Sequence, residues 1–242
     1  LKAPMGGNVG HAATEIALEI RKKNMLPDWL IMELSSYQLE TAPEIAPEIG
    51  IWTNLSPDHL ERHGNFEVYG SIKQRLLNNS STAIYNADDI ILLQKISSLK
   101  KGVWVSTKGK VSSAKQSAFW INKKGMIIEN ETELFHSSIL NLPGVHNLQN
   151  LLLVTAASRK AGLSAKAIEE SIKSFSGVPH RLEKLGSLSG ISIFNDSKAT
   201  NYESATMALI AVESPAIVLA GGQAKEGEAS GWIDQIKKKA CG

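Results

Sequence analysis

IGIWTNLSPDHLERHGNFEVYGSIKQRLLNNSSTAIYNADDIILLQKISSLKKGVWVS, residues 49–106, decides the fold. Its apolar start, Ile49–Thr53, runs into the polar phrase NLSPDH. A helix is then expected over 66–78, a strand over 82–85, a helix over 88–98 and a strand over 103–106. Strands alternating with helices of this length predict an α/β chain with a mostly parallel sheet covered on both faces. Upstream, residues 11–24 gather Ile16 and Ile20 on one face of an amphipathic helix, with Glu15, Glu19, Arg21, Lys22 and Lys23 mostly elsewhere. Pro27 and Asp28 make a turn, and Trp29–Leu34 reads as a buried strand with a polar end. Downstream, 118–122 and 126–129 are apolar runs joined by NKKG, a hairpin that would add an antiparallel edge. Two helices are expected over 147–161 and 164–175, separated by Gly162 and capped by Ser164. SFSGVPHR, 174–181, marks a boundary between domains 1–176 and 177–242. The second domain is expected to run strand, helix, strand, helix over 190–194, 203–212, 216–220 and 231–239.

The 242 residues are 43% hydrophobic, enough for a substantial core. With 26 basic and 24 acidic side chains the formal charge is +2, so nothing electrostatic argues for nucleic acid. No run approaches the ~18 apolar residues that cross a bilayer. Cys241 is the one cysteine, which excludes an intramolecular disulfide or a multi-cysteine metal site and fits a reducing compartment. The chain opens on LKAPMGGNVG without an initiator Met and closes on ACG, so a piece of something longer is expected.

Several clusters could carry chemistry, and each has an ordinary structural use as well. Ligands in open α/β sheets collect at the carboxyl ends of strands. There the first predicted strand delivers Glu33, Ser35 and Ser36, and the second delivers Asn54, Asp58 and His59. Glu33, between Met32 and Leu34, is either a pairing and capping group or a metal ligand. Hard oxygens with one imidazole suit Mg or Mn better than structural zinc. Lys73, 14 residues beyond His59, reads most simply as a solvated or snorkelling helix residue. HNLQN, 146–150, could cap a helix or turn its amides and imidazole toward a nucleotide. PHR, 179–181, and NDSKATN, 195–201, put Arg181, Asp196 and Lys198 where a nucleotide or a transferring phosphoryl group could be held, although a capped turn accounts for Asp196 nearly as well. GGNVG, 6–10, and AGGQAKEG, 220–227, are glycine-rich, but GxxxxGK[ST] and HExxH are absent.

Taken together, MELSSYQLE (32–40), NLSPDHLERHG (54–64), YGSIKQRL (69–76), GVHNLQN (144–150), GVPHRLE (177–183) and NDSKATN (195–201) resemble the Mur ligases. Within them, SSYQLE and NDSKATN after PHRLE resemble the branch that adds D-glutamate to UDP-N-acetylmuramoyl-L-alanine. The resemblance implies a cytoplasmic, monomeric, three-domain parent that uses ATP and Mg2+ (Mn2+ in its place) in peptidoglycan precursor synthesis, with neither nucleic acid nor membrane as partner. This chain would hold a P-loop-type ATPase domain over 1–176 and part of a Rossmann-like, amino-acid-binding domain over 177–242. A phosphate loop similar to GTNGKST and a UDP-binding domain would precede Leu1, and a D-glutamate-binding segment would follow Gly242.

Residue by residue, the resemblance implies metal-site roles for Glu33, His59 and Lys73, the last carbamylated on its ε-nitrogen. His59, Lys73 and Lys198 would be catalytic. Asn147, Arg181 and Asp196 would contact ATP. Asn8 and Ser35 would lie near the UDP-muramoyl substrate, and Thr200 and Lys225 near D-glutamate. Around Lys225 the wording departs from the family's, with Gln223 where an aspartate is usual. The implied reaction phosphorylates the substrate carboxylate and then lets an amine displace phosphate. A sister ligase or a folylpolyglutamate-synthase-like enzyme is the alternative for the parent. For the chain alone, the alternative is a nucleotide-binding remnant with negligible ligase activity.

Overall fold

A computed structural model describes residues 2–111, 118–222 and 228–240. It forms two compact units, one of the chain up to Tyr85 with Asp89–Gly102, the other of Asn86–Asp88 and the chain from Val103 on. The first holds β1 (Met5–Gly7), α1 (Ala13–Lys23), β2 (Ile31–Glu33), α2 (Ser36–Thr41), β3 (Ile49–Trp52), α3 (Leu60–His63), α4 (Phe66–Asn79), β4 (Thr82–Asn86, its last residue in the second unit) and α5 (Ile90–Gln94). β1 pairs with β2 and β3 with β4, both in parallel. The alternation of helix and strand predicts such pairing, because a helical crossover returns the chain in the same direction. Ala83, Ile84, Tyr85 and Asn86 of β4 are all buried, as befits a parallel strand covered on both faces. α4 packs on β3 through a face that buries Tyr69, Ile72 and Leu77. Its start is fixed by Asn65, whose Oδ1 accepts from Val68 N at 2.9 Å. At its end, a Cβ on Gly50 would run into the Ser80 side chain, so the contact of β3 with the end of α4 depends on glycine.

The second unit continues with β5 (Val103–Ser106), β6 (Ala118–Ile121), β7 (Met126–Glu129), β8 (Thr132–His136), a 3-10 turn (Ser137–Ile139), α6 (Val145–Lys160), α7 (Ala165–Lys173), β9 (Glu183–Leu188), β10 (Ile191–Asn195), α8 (Tyr202–Ala211) and α9 (Ser230–Lys239). β5 and β6 are parallel, whereas β6–β7 and β7–β8 are antiparallel. The expected antiparallel edge is therefore present and one strand longer than the sequence suggests. Asn122 Oδ1 closes the NKKG turn by accepting from Lys124 N and Met126 N at 2.9 and 3.0 Å. α6 lies against β5 and β6 and buries Leu151, Leu152, Leu153, Thr155 and Ala156. Gly162, at φ 90°, follows its end, and Ser164 Oγ accepts from Ala167 N at 3.2 Å to begin α7.

Three expectations are corrected. The strand expected over Trp29–Leu34 is shorter and not buried. Only Ile31–Glu33 pairs, β1 is its one partner among the described residues, and Ile31 is 52% exposed. A two-stranded ribbon leaves side chains open that a covered sheet would enclose. The region after 176 begins with an antiparallel hairpin, β9–β10, rather than a lone strand. Ser189 and Gly190 close it with φ of 50° and 83°, the backbone a tight two-residue turn requires. The strand expected over 216–220 does not form. Ala216 makes a single bridge to Ala240, while Ile217 and Leu219 are 78% and 95% exposed. An apolar run of this kind becomes a strand only with a ladder beside it. No described helix is long and apolar enough to cross a membrane.

Candidate active site

In the first unit, the parallel register sets Gly7 opposite Glu33, which brings Asn8 to the carboxyl end of β2. Asn8 N donates to the Glu33 carbonyl at 2.8 Å, and its side-chain amide donates to Glu33 Oε1 at 3.4 Å. Glu33 is exposed, so the expense of burying it between Met32 and Leu34 does not arise. Ser35 is the N-cap of α2 in a capping box. Its Oγ accepts from Gln38 N at 3.3 Å, while Gln38 Oε1 accepts from Ser35 N at 3.0 Å.

The loop after β3 is pinned by Asp89, whose carboxylate accepts from Leu55 N and from Leu92 N, both at 2.8 Å. It delivers Asp58 and His59 to the start of α3. His59 is left-handed (φ 53°, ψ 34°), a costly conformation for a residue with a side chain. Its imidazole lies 3.6 Å from both Asp58 and Glu61 and meets the Tyr37 ring edge-on at 5.1 Å. Lys73 sits half-buried on α4 with Nζ 5.0 Å from the centre of the Tyr69 ring. Burial pushes its ammonium below the ordinary lysine value, opposed by the negative charge of Asp58. Asp58 thus lies beside His59, and its negative charge is felt at Lys73. Neither hydrogen bond nor ion pair links Glu33 to either of them, and no three His, Cys, Asp or Glu side chains among the described residues converge to hold a metal. A cavity of about 360 Å³ elsewhere in this unit, lined by Met5, His11, Ile16, Ile20, Met25 and Leu26, includes none of the candidate residues.

In the second unit, two turns are laced together. Asp196 Oδ1 accepts from Leu182 N at 2.8 Å, Lys198 N donates to the His180 carbonyl at 3.0 Å, and Asn195 Nδ2 lies 2.8 Å from His180 Nδ1. Arg181, Asp196 and Lys198 are held in one place by these bonds. His146 feels that cluster. Burial pushes its imidazole below the ordinary histidine value, Asp196 opposes the shift and Arg181 adds to it. Asn147 does not cap α6. Gly144 occupies the N-cap, and Asn147 Nδ2 donates back to the Pro143 carbonyl at 2.7 Å. Thr200 is exposed just before Asn201, whose Oδ1 caps α8 by accepting from Ser204 N at 2.8 Å. Lys225 lies outside the described residues.

The sequence reading missed the cluster of Tyr37, Arg62, His63 and Tyr69 that runs from His59 to Lys73. His59 and His63 stand four apart, but His59 is the left-handed residue before α3, so helical spacing alone does not put them on one face.

Residues 10–158 match the family model described as the Mur ligase middle domain. The chain is 58% identical over 242 residues to a UDP-N-acetylmuramoylalanine–D-glutamate ligase of Prochlorococcus marinus strain MIT 9313, covering 100% of this chain and 53% of that protein. The ligase of the same name from Synechococcus sp. strain CC9605 is 55% identical over 242 residues, 100% of this chain and 52% of its own length. The chain therefore spans about half the length of these relatives. Among solved structures, MurF from Acinetobacter baumannii shares the fold with a TM-score of 0.63 at 15% identity, covering 89% of this chain and 50% of its own. MurF from Thermotoga maritima in complex with ADP superposes with a TM-score of 0.60 at 18% identity, covering 87% and 51%. With the family model matched over more than half its residues, this α/β chain, with its mixed parallel and antiparallel pairing, belongs to the Mur ligase family.

Proposed function

We propose that the protein to which this chain belongs is a cytoplasmic ATP-dependent ligase that joins D-glutamate to UDP-N-acetylmuramoyl-L-alanine in peptidoglycan precursor synthesis, acting as a monomer. The observation that carries the reading is similarity over 100% of this chain, at 58% and 55% identity, to about half the length of relatives bearing that name. Residues 1–176 would form a P-loop-type ATPase domain, and 177–242 the beginning of a Rossmann-like domain for the amino acid.

In this reading a carboxylate oxygen of the L-alanyl group attacks the γ-phosphorus of ATP, ADP leaves, and an acyl phosphate forms. The D-glutamate amine then attacks the acyl carbon, gives up a proton, and phosphate departs with the former carboxylate oxygen. Asn147, Arg181 and Asp196 would hold the nucleotide, supported by the bonds that lace the Arg181 and Asp196 turns. Lys198 would neutralise charge on the transferring phosphoryl group, with Thr200 and Lys225 toward D-glutamate. Asn8 and Ser35 would meet the muramoyl substrate.

In this reading Glu33, His59 and Lys73 would hold Mg2+, for which Mn2+ could substitute, on one condition. An ammonium repels a metal ion, so Lys73 must change its charge. Its partial desolvation favours the neutral amine, whose lone pair can attack CO2, forming an N–C bond and releasing one proton to leave an anionic carbamate. The metal would supply charge stabilisation to the phosphates. Phosphate release by the full-length protein, given ATP, UDP-N-acetylmuramoyl-L-alanine and single amino acids, tests the proposal. Release with D-glutamate alone is expected; release driven by another amino acid or by a folate acceptor would replace it with a sister activity.

A further inference from the structure

α3 is a single helical turn, too short to hold itself together in water. Yet it carries the left-handed residue His59, and its shape must come from what it packs on. Its one buried residue is His63, 6% exposed. His63 Nε2 lies 2.9 Å from Ser36 Oγ, at the first turn of α2. The His63 ring meets Tyr37 at 5.6 Å and Tyr69 at 5.7 Å. Tyr37 in turn touches His59 at 5.1 Å, and Tyr69 lies under Lys73 at 5.0 Å. His63 is thus the middle of an unbroken row of rings with His59 at one end and Lys73 at the other. Two further ties hold α2 to the same corner. Arg62 pairs with Glu40 at 2.7 Å while stacking on Tyr37 at 4.8 Å, and Arg75 donates to the Leu39 carbonyl. Among the described residues His63 Nδ1 has no hydrogen-bond partner, so the ring's bond to Ser36 is what fixes its orientation.

We propose that His63 is a positioning residue: through its bond to Ser36 and its contacts with Tyr37 and Tyr69, it sets the spacing between His59 and Lys73 for the ligase reaction. The inference rests on the functional reading above and adds to it a buried residue whose contacts are with Ser36, Tyr37 and Tyr69. Side chains that orient metal-site residues from behind are worth about 10- to 100-fold in affinity or activity.

The test uses the full-length protein with His63→Phe, which keeps a ring and loses the bond, Ser36→Ala, which removes the bond from the other side, and the double variant. His63→Gln, which can still reach the serine, serves as the rescue. Three quantities are read: kcat and KM for D-glutamate-dependent phosphate release, Mn2+ affinity by electron paramagnetic resonance, and melting temperature. In His63→Phe, kcat should fall about 10-fold or more with the KM for ATP within about 2-fold, and Mn2+ should bind about 10-fold more weakly. Ser36→Ala should show the same pattern, the double variant should be no worse than His63→Phe, and His63→Gln should recover part of both losses. Wild-type kcat and Mn2+ affinity in His63→Phe, losses that multiply in the double variant, or losses that follow the unfolded fraction alone would overturn the proposal. If the wild-type protein releases no phosphate with D-glutamate, the functional reading fails separately. The Mn2+ affinities of the same variants then still decide whether His63 positions the site.

Discussion

Lys73 shows how far a residue's surroundings alter its chemistry. In the sequence it reads as an ordinary helix lysine, because composition carries no information about which part of α4 is covered. In the fold, burial lowers its affinity for a proton while Asp58 works the other way. Replacing Lys73 with Met should leave the melting temperature nearly unchanged, since a desolvated charge is removed. It should also lower phosphate release by the full-length protein about 100-fold or more. Circular dichroism melts and a phosphate assay check the two halves. His146 gives a pH prediction. Its folded value lies below the ordinary histidine value, so the unfolded chain takes up the proton first as pH falls. Stability from this residue is complete above about pH 6.5 and is lost as the pH drops toward the lowered folded value. Melts between pH 7.5 and 5 should show a decline that is smaller in His146→Gln; identical slopes would contradict the assignment.

Among the elements, those with strong local signals were legible. The strand at 103–106, the helix from Phe66, the NKKG hairpin and the Ser164 cap all follow from apolar spacing, turn residues and capping groups. What escaped depends on tertiary contacts. α2 and α3 are too short for periodicity to reveal them, and the 216–220 run has strand composition without a ladder to join. The candidate site divides the same way. Its residues were named from motifs, but their neighbours Tyr37, His63 and Tyr69 come from distant turns and carry no local mark. Two caps permit a controlled comparison. Asn65→Ala and Ser164→Ala each remove an N-cap bond and should each cost about 1 kcal/mol, read by urea unfolding. Only Asn65→Ala frays the helix that holds Tyr69 and Lys73, so it alone should reduce turnover.

At the scale of the molecule, each unit assembles its own share of the proposed chemistry. One joins Asn8 to Glu33 and sets Asp58 beside His59, with its charge felt at Lys73; the other laces the turns of Arg181, Asp196 and Lys198 together. The central claim is that the parent protein activates a carboxylate as an acyl phosphate before an amine displaces it. The most direct measurement supplies full-length protein with UDP-N-acetylmuramoyl-L-alanine carrying 18O in both carboxylate oxygens, then examines the released phosphate by mass spectrometry. One 18O atom should be found in each phosphate, with release dependent on D-glutamate and the second 18O retained in the new amide. Phosphate free of 18O, formed at the same rate with or without D-glutamate, would contradict it.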